Sequence, residues 1–588
     1  MKKTFILCAL LTMGAQLFAQ QSNQFIEDFT ELTDGKPHDD ASVWAKMPTP
    51  VQAQWGDINV RYAKYDVPAV LQGKKWQTKA WKGEKVNAQA LFWANKEIRN
   101  LSLSVSDLKS GSHVIPASAI SAGFLRYVMG DPVSNNGKTA CGDRSNKADW
   151  DSTMVADLID LIPERDVEAM STRPIWVSVR VPQDVKAGKY KGTLTIKGEG
   201  IDDIRLQMEV SVLDRVLPPA EDWKFHLDLW QNPYSVARYF NVPLWSREHF
   251  EAMRPVMEIL EAAGQKVVTA TIVNRPWNGQ TEDAFNSMVL KTKNLDGSWS
   301  YDYTVFDKWV SFMMEEIGID AQINCYTLIP WALQFDYLDQ ASNSIKYVHA
   351  KPGDAAYADY WGSFLKDFAK HLKAKGWFEK TTIAMDERGV DAMKEAIKVI
   401  RAADPDFKIS LAGNYYGEVQ SDLYDLCVAM GQTFPEDVLA QRKASGKKST
   451  VYTCCAEVWP NTFMTSGPAE AVCFGWHAAA WDYDGYLRWA YNSWTKDPLR
   501  DSRFRTWAAG DCYLVYPDGR SSTRLERLIE GIQDFEKIRI LEEEFAKDGA
   551  TKKIEKLEAI VEKFRFDKGP VENVADLVKE ARSVLNSF

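Results

Sequence analysis

Hydrophobic and polar positions alternate through the first third of the chain. From about residue 21 to 215, period-two runs such as Ile175-Trp176-Val177-Ser178-Val179-Arg180-Val181 are separated by glycine-containing turns, as where Lys186-Ala187-Gly188 leads through Gly192 into Thr193-Leu194-Thr195-Ile196. Successive side chains of a strand point to opposite faces, so this spacing predicts an N-terminal β-sandwich over 21–215. Leu217-Pro218-Pro219 then breaks the pattern and acts as a hinge. Beyond it, apolar runs alternate with stretches of helical period. Strands are predicted at 225–230, 267–273, 323–329, 382–385, 409–412, 426–430, 451–457 and 486–491, and helices near 247–263, 304–317, 355–375, 390–403, 434–443, 469–481 and 522–545. Eight strands with intervening helices predict a TIM-type (β/α)8 barrel over 216–545. The alternative, an open doubly wound sheet, lacks a glycine-rich dinucleotide turn after its first strand. The Lys- and Glu-rich segment 546–588 keeps apolar positions at helical spacing and is predicted as a C-terminal helical tail packed on the outside.

The first twenty residues read differently. Lys2 and Lys3 precede an apolar stretch from Phe5 to Leu11, and small and polar residues lead to Leu17-Phe18-Ala19, the form of a signal peptide at 1–20. Export to the periplasm or cell surface is therefore expected, with no membrane span, because no later stretch holds roughly 18 uninterrupted apolar residues. A chain of 588 residues exceeds one ordinary core and predicts two or three domains, for which 45% hydrophobic residues suffice. The balance of 71 basic against 81 acidic side chains argues against nucleic acid as a partner. Beyond Cys8 the cysteines are scattered apart from Cys454-Cys455, so they are expected as buried small apolar residues rather than as a disulfide framework or a metal site. With seven His in the chain, and no phosphate-binding loop, Gly-x-Ser-x-Gly turn or His-Glu-x-x-His pair, neither a metal nor another cofactor is expected. The 22 Trp offer flat faces on which sugar rings stack, or simply a large aromatic core.

In a barrel the active site lies at the C-terminal ends of the strands, which selects the candidates. The fourth predicted strand ends in Met385-Asp386-Glu387-Arg388-Gly389. Two carboxyls there suit glycoside cleavage, one donating a proton to the departing oxygen while the other manages positive charge at the anomeric carbon. Neighbours on a regular strand face opposite ways, so both reach one substrate only if the backbone leaves strand geometry. The alternative is that Asp386 and Glu387 merely favour the positive end of the helix beginning near Val390. Other strand ends supply candidate sugar-binding residues: Trp331, Asn414, Tyr415, Trp489 and Asn492, with Glu457 as a further carboxylate. On the first strand, alternation puts His226, Asp228 and Trp230 on the barrel-lining face, with His226 and Asp228 held as secondary candidates since a buried His–Asp pair also serves structure.

Several stretches resemble glycoside hydrolase family 123, the bacterial β-N-acetylgalactosaminidases, in the form found in gut Bacteroides. They are Asp296-Gly297-Ser298-Trp299-Ser300-Tyr301-Asp302-Tyr303-Thr304-Val305-Phe306-Asp307, Met385-Asp386-Glu387-Arg388, Tyr486-Leu487-Arg488-Trp489-Ala490-Tyr491-Asn492, and the run from Gly510-Asp511-Cys512 through Arg524-Leu525-Glu526 to Gln533-Asp534. The resemblance implies a β-sandwich followed by a (β/α)8 barrel, and a retaining mechanism whose nucleophile is the substrate's own 2-acetamido group. It implies Glu387 as general acid/base and Asp386 as the residue that orients and polarises the acetamide, on a carbohydrate with terminal β-linked N-acetylgalactosamine, glycosphingolipid glycans among them. Two rival readings are a non-catalytic secreted glycan-binding protein and a glycosidase with an enzyme-borne nucleophile such as Glu457.

Overall fold

A computed structural model describes residues 30–131, 141, 146, 150–567 and 569–588; the predicted signal peptide lies outside the described residues. In the N-terminal region the alternating runs form two sheets. One has the order Leu71–Gly73, Val51–Gly56, Lys85–Ala94, Ser171–Arg180, Ile120–Gly130, Thr153–Ile159. The other has Glu164–Val167, Ile98–Val105, Gly188–Lys197, Ile204–Val216 and Lys75–Lys82 along its path. Trp55, Phe92, Ile175 and Val177 of the first sheet share one core with Leu101, Tyr190, Leu206 and Val210 of the second. Burial of these inward faces is what a half-apolar strand pattern requires, and it makes the region a sandwich.

The second region is the expected barrel. Its strands are β1 (His226–Leu229), β2 (Val267–Thr271), β3 (Gln322–Tyr326), β4 (Thr381–Met385), β5 (Lys408–Gly413), β6 (Asp425–Ala429), β7 (Lys448–Tyr452) and β8 (Gly485–Arg488). All pair in parallel in the order β1-β8-β7-β6-β5-β4-β3-β2. Between β1 and β2 the backbones meet in one bridge, Leu227 with Gln265, and side-chain amides complete the seam. Gln265 accepts from the Leu229 N–H at 3.0 Å and donates to the Val267 carbonyl at 2.7 Å, while Gln231 accepts from the Thr269 N–H at 2.8 Å. Buried backbone groups need partners, and these amides stand in for ladder bonds the strands do not make.

Three features depart from the pattern read in the sequence. β7 ends at Tyr452, not at 457, because the chain turns where the Glu457 carboxylate accepts from the Cys454 N–H at 2.8 Å. A small four-stranded sheet, Leu290–Lys293, Trp299–Asp302, Gln334–Asp339 and Ser344–His349, grows from the loops after β2 and β3. It packs through Trp299 and Phe335 onto Tyr360 of the helix Ala355–Lys375. Third, Cys141 and Cys455 form a disulfide across 314 residues of sequence, correcting the expectation of unpaired cysteines. Pairing depends on proximity in space, which spacing along the chain does not report.

The helix Thr523–Asp548 ties the two regions together, followed by tail helices Thr551–Val561 and Val574–Leu585. It pairs Lys537 with Glu84 at 2.6 Å and Arg524 with Asp157 at 3.1 Å, both partners in the N-terminal region, and Gln533 accepts from the Lys85 N–H at 2.8 Å. Each charge is buried against an opposite one, since an unpaired charge at such depth is strongly unfavourable. Gly475 and Gly531 let this helix cross Cys473–Ala480 backbone to backbone: a Cβ on Gly475 would fall 1.8 Å from the Gly531 carbonyl oxygen. No helix among the described residues is long and apolar enough to cross a membrane.

Candidate active site

β4 delivers its residues to the C-terminal rim of the barrel, where the chain leaves strand geometry after Met385. Asp386 is 5% exposed, whereas Glu387 reaches the surface, and both line one cleft of about 290 Å³. Asp386 accepts through Oδ2 from the indole N–H of Trp277 at 2.7 Å and of Trp331 at 3.4 Å; its Oδ1 is buried without a protein partner. Glu387 accepts through Oε1 from the Tyr452 hydroxyl at 2.5 Å. The helix Val390–Ala403 starts at Gly389 with no side-chain cap bond, so these hydrogen bonds of the carboxylates go to the cleft wall and not to the helix end.

Burial raises the Asp386 carboxyl to about 6; the Arg388 guanidinium opposes that rise and the Glu387 charge adds to it. Arg388 is itself fixed, with Nε donating to the Ile329 carbonyl at 3.0 Å and its guanidinium lying 4.5 Å over the Trp331 ring. Trp230 stacks on Trp277 at 5.0 Å, and Trp489 meets Trp507 edge-on at 5.7 Å. All four rings line the cleft together with Trp331 and Tyr452. Apolar faces with a few convergent polar groups are what binds a sugar ring, whose C–H surfaces stack while its hydroxyls bond. The disulfide brings Cys141 of the N-terminal region into the same wall beside Cys455.

Of the candidates read from the sequence, Asp386, Glu387, Trp331 and Trp489 are brought together here. The others are not. Asn414 and Tyr415 fasten the loop after β5 to that after β6: the Tyr415 N–H donates to Gln432 at 2.8 Å, Gln432 bonds Asn414, and the Tyr415 ring packs on Phe434. Asn492, wholly buried, accepts from the Asn232 N–H at 2.8 Å and donates to its carbonyl at 2.9 Å, locking the β1 and β8 loops. Glu457 lies outside the cleft lining, its carboxyl engaged by Cys454 and pushed up by burial.

His226 and Asp228 also lie outside the cleft lining. Their strand starts at the opposite end of the barrel, and they belong to a buried polar layer beneath the cleft. His226 Nε2 lies 3.0 Å from Asp425, to which Gln322 also donates at 2.7 Å, and Asn324 approaches Asp228 at 3.3 Å. Burial raises the Asp228 carboxyl to about 7, Asp425 adding to the rise and His226 opposing it.

Trp230, read on the barrel-lining face of the first strand, does line the cleft, whereas Trp277, Tyr452, Trp507 and Asp511 are lining residues that sequence reasoning missed. For Tyr452 a signal was present: ending the seventh strand at 452 instead of 457 would have placed it at the rim. Trp277 and Trp507 stand on long loops whose course no local pattern determines.

A parallel barrel with adjacent carboxyls in an aromatic cleft at its C-terminal rim defines a carbohydrate-cleaving hydrolase. The model described as glycoside hydrolase 123, catalytic domain, matches residues 230–541, and that of the glycoside hydrolase 123 N-terminal domain matches 55–198. The chain belongs to glycoside hydrolase family 123 and is a glycosidase. It is similar in structure to a family 123 glycoside hydrolase from Clostridium perfringens, studied for glycolipid glycan hydrolysis, with 25% identity, 92% of this chain and 97% of that one covered, and a TM-score of 0.81. A Bacteroides ovatus GH5 xyloglucanase in complex with a XXXG heptasaccharide is 10% identical, with 78% of this chain and 98% of that one covered, at a TM-score of 0.28 that carries no argument. No curated protein sequence matches.

Proposed function

We propose that the chain is an exported, exo-acting, retaining β-N-acetylgalactosaminidase whose nucleophile is the substrate's own 2-acetamido oxygen. The observation that carries this reading is the paired state of the carboxyls: Asp386 held by two indoles with Oδ1 left free, beside Glu387 at the mouth. Glu387 protonates the departing glycosidic oxygen as the acetamide oxygen closes on C1, giving an oxazolinium ion. Asp386 Oδ1 accepts from the acetamide N–H and stabilises the positive charge that grows there. Water, deprotonated by Glu387, then opens the ring from the face the aglycone left, so two inversions return the β configuration. A burial-raised carboxyl suits Asp386, because charge developing on the acetamide favours its ionised form only as the reaction proceeds.

The cleft volume, at the low end of the roughly 300–1,000 Å³ of ligand sites, fits one terminal sugar and supports exo action. Glycosphingolipid-type or host glycans are the natural substrates we favour, supported by the glycolipid glycans named for the Clostridium perfringens relative, and the basic-then-apolar N-terminus supports export to the periplasm or cell surface. The test is hydrolysis of aryl β-glycosides of N-acetylgalactosamine, N-acetylglucosamine, 2-hydroxy galactose and their 2-deoxy forms, with Glu387→Gln alongside. Strong preference for the first sugar is expected, with kcat/KM lowered about 10²–10⁴-fold in the variant. Equal turnover of the 2-hydroxy sugar would overturn the acetamide mechanism.

A further inference from the structure

Cys141 lies between two loops of the cleft rim. Its sulfur is bonded to Cys455, just past Tyr452 on the loop after β7, and its backbone forms an antiparallel bridge with Trp507 on the loop after β8. Cys141, Cys455 and Trp507 all line the cleft. The turn that holds Cys455 is fixed by hydrogen bonds at the residue before it, where the Cys454 N–H donates to Glu457 at 2.8 Å and its carbonyl accepts from Asn461 at 2.9 Å. Trp507 is tied by its indole N–H to the Gln280 carbonyl at 2.8 Å, and its ring meets Trp489 edge-on. The disulfide therefore completes a brace that runs from the Tyr452 loop through Cys141 to Trp507, with Phe463 and Ala508 packed around it.

A crosslink between two loops of one ligand site fixes beforehand the arrangement that the ligand meets. We infer that the Cys141–Cys455 disulfide is a positioning element of the catalytic cleft, holding Trp507 against Trp489 in the arrangement that binds sugar, so that sugar binding and the redox state of the disulfide are coupled. The inference rests on the reading of this cleft as the one that cleaves N-acetylgalactosaminides. Reduction by a dithiol breaks the Sγ–Sγ bond: each cysteine sulfur takes up one electron and one proton, and the dithiol closes into its own disulfide. The bonds of Asp386 to Trp277 and Trp331, and of Glu387 to Tyr452, do not pass through the brace. Opening it weakens binding of the sugar and leaves the chemical step in place.

The full-length protein, equilibrated in dithiothreitol redox buffers with and without saturating N-acetylgalactosamine, tests this. The two thiols released are counted by alkylation after acid quench and denaturation. Coupling is reciprocal. If the oxidised form binds the sugar about tenfold more tightly, the scale of one displaced aromatic contact, the sugar shifts the reduction midpoint by about 30 mV to more negative potential. A midpoint indifferent to the sugar overturns the inference, and so does loss of secondary structure on reduction, which would make the bond a staple of the fold. In the aryl assay, the double variant Cys141→Ser with Cys455→Ser should raise KM about tenfold while kcat stays within about twofold. A lowered melting temperature with KM unchanged overturns the inference, since a purely structural crosslink would show that alone. If the double variant does not fold, the redox titration of the wild type decides. An oxidised wild type that cleaves no aryl glycoside overturns the reading of the cleft itself, an outcome distinct from one in which the sugar is cleaved and the disulfide leaves KM unmoved.

Discussion

Asp386 and Asp425 stand at opposite ends of one barrel, both almost fully enclosed, and their carboxyls are displaced in opposite directions. Burial acts on each the same way, disfavouring charge. At Asp425, the first residue of β6, His226 and Gln322 more than offset it and hold the carboxyl below its ordinary range. At Asp386, just past the end of β4, two neutral indoles and Arg388 do not, and the carboxyl rises to about 6. The Asp425 carboxyl is engaged by His226 and Gln322, whereas Asp386 Oδ1 has no protein partner. Burial alone thus does not set the direction in which a buried aspartate is displaced; the charge and number of its partners do.

The largest expected effect comes from Asp386→Asn. Turnover of the N-acetylgalactosaminide should fall about 10²–10³-fold, the scale of one lost transition-state contact, with KM changed little. Stability should move the other way. Because the folded carboxyl is raised above its unfolded value, ionisation costs folding energy that grows as pH rises from about 4 to about 6 and is then constant, about 3 kcal/mol for a shift of about two units. Melting at pH 7.5 should therefore show the variant no less stable than wild type, and at pH 4 the two should converge. A variant destabilised at pH 7.5 would break the comparison.

Asp425→Asn should do the reverse. Its carboxyl is depressed, so its contribution is present above the unfolded value and lost as pH falls through the folded one. Melting near neutral pH should show a loss of about 3 kcal/mol, typical of a buried pair deprived of one partner, shrinking in acid, while kcat of the folded fraction stays within about twofold. Tyr452→Phe sharpens the contrast on a smaller scale, since it removes the donor to Glu387 and leaves Asp386 untouched. A fall of about tenfold in kcat/KM is expected, read in the same aryl assay.

Along the chain, the elements were more legible than the site. Alternation from 171 to 180 marked a strand wherever its partners lay, and Met385-Asp386-Glu387 stood out because an apolar run ended in two charges. Asn492 and His226 were equally visible as polar residues at strands, but the sequence does not say whether a buried amide meets a sugar or, as here, the backbone of Asn232. The succession of strands and helices, and the place of Asp386 and Glu387 at a strand end, follow from local periodicity and residue type, which the sequence by itself determined; that both carboxyls line one cleft does not. Which aromatic rings wall the cleft, that Cys141 meets Cys455, and that Asp511 joins the cleft wall on Arg488 and Trp489 were decided by tertiary structure. Those contacts join residues hundreds of positions apart, and no local interaction energy encodes them until the barrel closes.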